Sequence, residues 1–165
     1  TANTVSLSGW QLRTRAGAAT SDITLNLSGS IPPYAHFLIA SQPYGSNCEG
    51  VTPNFSDTNV SGLFGGMSDT TGRSIGLFDG TGTGANRVDG FSFNGGATNP
   101  NNLHEGTAFS GGSGSSTVSF ARKRPGGAGT FYTDTDNNAS DLQTITSKTP
   151  PTDFLPVSVS HFSVE

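Results

Sequence analysis

Charge is what this chain has least of. Only 12% of its 165 residues are Asp, Glu, Lys or Arg, against about a quarter in an average soluble domain. Eight basic residues stand against 12 acidic ones, a formal net charge of −4. That balance excludes a general nucleic-acid binder, which needs a basic face to neutralise phosphates. A single cysteine, Cys48, excludes an internal disulfide framework and leaves a packed thiol as the plain reading. No apolar run approaches the ~20 residues that a membrane-spanning helix needs. No signal-peptide pattern is present; if the protein is secreted, its export address has been removed or lies outside this sequence. Long helices are excluded too. Gly, Ser, Thr and Asn make up roughly half of the chain, and they either cost backbone entropy in a helix or compete for its hydrogen bonds.

What the chain has is short apolar clusters, with 11 Phe and a single tryptophan at position 10. Alternation of apolar and polar residues predicts strands over Trp10–Arg15, Ile23–Leu27, Tyr34–Ser41, Ser74–Phe78, Arg87–Phe93, Thr117–Arg124 and Leu155–Val164. Between the fourth and fifth, Asp79-Gly-Thr-Gly-Thr-Gly84 reads as a hairpin tip, where glycines permit positive φ. Trp10, behind the Leu7-Ser8-Gly9 turn, is large enough to anchor a small core. Strands of this length, punctuated by Gly and Pro, predict an all-β antiparallel sandwich. The Thr149-Pro-Pro-Thr152 segment marks a boundary, because proline removes ladder donors and favours extended backbone. The expected organisation is a body over 1–148, a Pro-rich linker over 149–154 and an extended tail strand over 155–165.

The order Leu7-Ser-Gly-Trp10-Gln-Leu12, Ile31-Pro-Pro33 before Phe37-Leu-Ile-Ala40, Leu77-Phe-Asp-Gly80 and Val88-Asp-Gly-Phe91 resembles the lamin-tail domain of secreted bacterial proteins. Phe120-Ala-Arg122-Lys123, followed by the Asp/Asn-rich stretch from Asp134 to Asp141, strengthens the likeness. The resemblance covers about residues 4–148 and implies an immunoglobulin-like β-sandwich, a non-catalytic appendage of extracellular or surface proteins. It also implies one or two strands ahead of the Leu-Ser-Gly-Trp turn that this chain does not show. Leu155-Pro-Val-Ser-Val-Ser-His-Phe162 resembles the start of a Bacteroidota type IX secretion C-terminal region. Together these imply an interior piece of a longer secreted polypeptide.

Asp134, Asp136, Asn138 and Asp141 are the candidate metal ligands. Ca²⁺ takes six to eight oxygens, and oxygens at loop positions 1, 3, 5 and 8 suit wrapping. The loop lacks the Gly at position 6 and the Glu at position 12 of the helix-flanked calcium loop, Ile145 standing at the latter. The competing reading, favoured here, is a network in which Asp and Asn side chains bond nearby backbone amides and stop a strand. His36, His104 and His161 lack ligand spacing, and His104-Glu105 has no second histidine after it. With no Gly-x-Ser-x-Gly elbow between strand and helix, the chain is read as not an enzyme. Arg122-Lys123-Arg124 reads as a solvated strand end, since alternation splits its charges between two faces.

A sandwich lacking its first strand leaves an edge and part of a core face uncovered, which native proteins avoid. The expectation is that an extended strand covers it, by self-association or from another segment of the same polypeptide. The interface residues on this reading are Val157, Val159 and Phe162 of the tail, with Val5 and Leu7 at the receiving edge. The functional expectation is a structural or adhesive module of a secreted bacterial surface protein, assembling head to tail into a filament. The alternative is a polysaccharide- or DNA-binding accessory domain of a larger extracellular enzyme such as a nuclease.

Overall fold

The computed structural model describes residues 3–16, 21–33, 35–41, 53–57, 73–93, 103–110, 119–124 and 132–145. In chain order the strands are β1 (Val5–Ser6), β2 (Gln11–Ala16), β3 (Ile23–Asn26), β4 (Ser30–Ile31), β5 (Ile39–Ser41), β6 (Phe55–Asp57), β7 (Arg73–Asp79), β8 (Asn86–Phe93), β9 (Ser119–Arg122) and β10 (Leu142–Ile145). The only helical pieces among the described residues are a 3₁₀ turn at Gly82–Gly84 and α1, one turn at Asn138–Asp141. The protein is all-β, as its composition predicts. Cys48, the Pro-rich linker and the tail with Val157, Val159 and Phe162 lie outside the described residues.

The main layer is a four-stranded antiparallel sheet in the order β3-β2-β7-β8. Its strands are those with the clearest alternation. Period-2 side chains place Leu12, Leu25 and Leu77 on one face, since Leu12 stands opposite both Leu25 and Leu77. The β7–β8 hairpin turns through the Gly82–Gly84 tip, and a bulge between Leu77 and Phe78 shifts its register. On the opposite face the Arg13 guanidinium lies 4.1 Å from the centre of the Phe78 ring, a cation–π contact.

The facing layer comes in pieces. Three separate two-stranded ladders, β1·β4, β5·β6 and β9·β10, contribute to it. Two are antiparallel, but β5 and β6 run parallel, Ile39 opposite Phe55. The connection from Ser41 to Phe55 accommodates that exception, because parallel pairs need a crossover of about a dozen residues. Leu7, Leu25 and Leu27 form the core cluster, at 2%, 4% and 5% exposure. Trp10 packs against this cluster but is itself half-buried, so the expected anchor is a flank of the core and not its centre. Val5 sits half-buried opposite Ile31 in β1·β4. Leu7, named with Val5 at the receiving edge, is a core residue whose N–H donates to Gly29 O.

Candidate functional site

The Asp/Asn-rich loop meets the sheet at its outer strand. Among the described residues β8 is an edge strand, so alternate backbone groups along it have no sheet neighbour on the outer side. The side chain of Asn138 takes that place. Its Nδ2 donates to Gly90 O at 2.8 Å, and its Oδ1 accepts from Ser92 N at 3.2 Å. Gly90 O and Ser92 N flank Phe91, the pattern by which one residue of a parallel strand would pair. The primary amide of Asn138 thus stands in for a peptide unit of a missing neighbour. The same Oδ1 accepts from Glu105 N at 3.3 Å, while Asn138 N donates to Glu105 O at 3.1 Å. Asn138 is completely buried.

Close approach makes this arrangement possible. A Cβ on Gly90 would fall 2.0 Å from Leu103 O, so only glycine lets the 103–105 segment lie on β8. Gly106 then turns the chain with φ +50°, and a Cβ there would stand 2.6 Å from Asp136 O. Beyond it, Ala139 N donates to Thr107 O at 2.9 Å.

Asp141 closes the loop from inside. Its carboxylate accepts from Thr135 N at 2.8 Å, Thr135 Oγ1 at 2.7 Å and Asn137 N at 3.3 Å. The side chain has no exposed surface. Burial pushes its pKa up, but the three hydrogen bonds and the Arg122 charge outweigh burial, and the carboxyl ends below the usual aspartate value.

Arg122 stands at the centre of four carboxylates. Nη2 pairs with Asp89 and with Glu105 Oε2 at 3.2 Å. Nη1 lies 3.0 Å from Asp134 Oδ1, 3.6 Å from Asp141 Oδ2 and 3.3 Å from Thr133 O. Burial lowers the guanidinium pKa; Asp89, Glu105 and Asp134 more than reverse that, so it stays charged. Glu105 is raised, chiefly by burial and then by Asp89, against the opposing pull of Arg122.

The expectation of a solvated Arg122-Lys123-Arg124 end is overturned. Arg122 is internal, Lys123 Nζ donates to Ser140 O at 2.6 Å, and Arg124 stacks 4.4 Å from the Tyr132 ring centre. In a chain with so little charge, these cations are spent holding 119–124 to 132–145.

The four candidate metal ligands are not gathered as a set. Asn138 and Asp141 point their oxygens at backbone amides, the arrangement of the competing reading. Asp134 and Asp136 instead come within 4.8 Å of Glu105, oxygen to oxygen, with the Arg122 guanidinium already bonded to Glu105 and Asp134. Sequence reasoning missed Asp89, Glu105 and the central place of Arg122. An arginine closing the apolar strand Ser119-Phe-Ala-Arg122, ahead of an acidic loop in a charge-poor chain, was the available signal.

Next to Arg122 opens an apolar slot of about 390 Å³. Its floor is the four-stranded sheet, with Leu12, Leu77 and Phe91. Leu7, Ile31 and Ile39 come from the β1, β4 and β5 region, and Phe120, Ala121 and Leu142 from β9·β10. Asp89 and Arg122 border it as well. Phe120 ties β9 to the sheet, its ring centre 6.3 Å from that of Phe91. Among the described residues, no helix is long and apolar enough to cross a membrane. Comparison of the chain with protein-family models, with curated proteins and with solved structures returned no match.

Proposed function

We propose that this chain is a non-catalytic structural or adhesive module, a lamin-tail-like sandwich of a secreted bacterial surface protein that self-associates by strand addition. The observation that carries this reading is the use made of the charged and amide side chains at the candidate site. Asn138, Asp141 and Arg122 spend their hydrogen-bonding capacity on backbone groups and on one another, fastening one end of the chain's β-structure to an edge strand. A group locked this way is poorly placed to move a proton or attack a substrate. Beside it lies an apolar slot and not a polar cleft. The excess of carboxylates around Arg122 also disfavours a polyanionic ligand such as DNA.

The test is sedimentation velocity and negative-stain microscopy of the purified full chain, alongside a panel of hydrolase substrates. Assembly that grows with concentration, without turnover, is the expected result. A chain that stays monomeric, or that turns over any substrate robustly, refutes the reading.

A further inference from the structure

Among the described residues, the cover over the four-stranded sheet is interrupted where the β1·β4 and β5·β6 ladders on one side give way to β9·β10 on the other. Protein interiors are close-packed, with few voids larger than a water molecule. A dry cavity of about 150 Å³ already accepts a benzene-sized group. The slot's 390 Å³ therefore holds two or three apolar side chains. Flanked by strand ladders and floored by a sheet, it suits an extended chain with apolar residues on one face.

The sequence holds such a segment. In Leu155-Pro-Val-Ser-Val-Ser160, residues Leu155, Val157 and Val159 share one face of an extended chain, and Pro156, Ser158 and Ser160 the other. Three apolar side chains match the room available. The segment follows Pro150-Pro151, and consecutive prolines favour an extended spacer of about 3.1 Å per residue. A stiff extended spacer suits reach to a second copy better than a fold back onto β10, whose Leu142 already lines the slot. A neighbour's slot is therefore a better destination than the chain's own.

We propose that the slot over Leu12, Leu77 and Phe91 receives Leu155–Val159 from a second copy of this chain. The proposal rests on the self-associating reading above and names its site and its donor. Donor and receiver are different surfaces, so the contact is head-to-tail and open-ended.

Two variants separate the partners. Val157→Asp/Val159→Asp disables the donor and leaves the slot intact. Leu77→Trp, on the slot's floor, fills the slot and leaves the donor intact. The expected result is that the full chain assembles in sedimentation velocity, each variant alone is monomeric, and an equal mixture of the two stops at heterodimers. A synthetic peptide of residues 153–165 should bind the donor-disabled variant and dissolve assemblies of the full chain, a readout that needs no slot variant to fold. If the full chain assembles but the donor-disabled variant assembles equally well, or the peptide has no effect, this assignment is overturned and self-association by another surface stands. If the full chain is monomeric throughout, both fail.

Discussion

Replacing Asn138 by alanine removes the partner of three backbone groups at once. Gly90 O loses a donor at 2.8 Å, and Ser92 N and Glu105 N lose their acceptor at 3.2 and 3.3 Å. The side chain is fully buried, so water does not replace it without opening the 103–108 segment. An unsatisfied buried donor or acceptor costs about 1–3 kcal/mol. Three such groups, with one recovering a partner through relaxation, give a loss of about 2–6 kcal/mol, a large part of a domain's usual ~5–15 kcal/mol. Urea denaturation followed by the fluorescence of Trp10, the only tryptophan, measures this directly. Amide exchange at Ser92 and Glu105 localises it, since both protons should exchange much faster in the variant. Asn138→Asp is the informative control. It keeps an acceptor for Ser92 N and Glu105 N but turns an oxygen toward Gly90 O, so the variant should be weak at neutral pH. Its protonated form can again donate to Gly90 O, so it should recover stability as pH falls. A loss within about 0.5 kcal/mol for Asn138→Ala, the range of an ordinary surface change, with unchanged exchange at both amides, would refute the edge-plug argument.

The remaining expectations concern the same cluster. Asp141, with its pKa lowered, contributes stability that is present above the ordinary aspartate value and lost as pH falls through its own lower value. Asp141→Asn should therefore flatten the acid limb of a melting-temperature profile; an unchanged limb counts against the assignment. Glu105 runs the other way: its raised pKa gives a contribution present below the ordinary glutamate value and lost as pH rises through the higher one. Glu105→Gln should remove that decline, and a profile parallel to the parent's would contradict it. Gly90→Ala forces a Cβ onto Leu103 O and should cost about 2–3 kcal/mol, whereas a neutral change in urea midpoint would show that the segment does not lie on β8. Chelator or added Ca²⁺ should leave the melting temperature of the parent unchanged, because Arg122 already holds Glu105 and Asp134; a rise with Ca²⁺ would restore the metal reading of the loop.

Strands with several alternating residues were legible in the sequence: β2, β3, β7, β8 and β9 fall within a residue or two of the segments that predict them. The long Tyr34–Ser41 segment shrinks to Ile39–Ser41, since Phe37 packs on the core from irregular backbone. The elements β1, β4 and β6 span two or three residues, too few to carry a period. β10 begins directly after the acidic loop, and Leu142-Gln-Thr-Ile145 was hidden by the loop's stronger signal. Asn138 shows where reading by spacing fails. Its oxygen was legible as a ligand atom, but its true partners come from residues 90, 92 and 105, and only the folded topology brings those together. Arg122 was passed over as part of a solvated strand end, although in so charge-poor a chain an arginine ahead of an acidic loop has few other counter-ions to choose from.

The edge plug joins residues 46 and 48 positions apart in the chain, and that separation acquires a meaning during synthesis. A ribosome that has just finished β8 has synthesised every strand of the four-stranded sheet, yet the residue that closes its outer edge does not exist. At about 5–20 residues per second, roughly 2–9 s pass before Asn138 is made. Over that interval the nascent domain carries an open edge, the kind of surface that pairs with neighbouring chains on a polysome. The asparagine that seals the finished fold thus also sets a period of vulnerability, and variants that delay its arrival or weaken it should aggregate at birth before they show any defect at equilibrium.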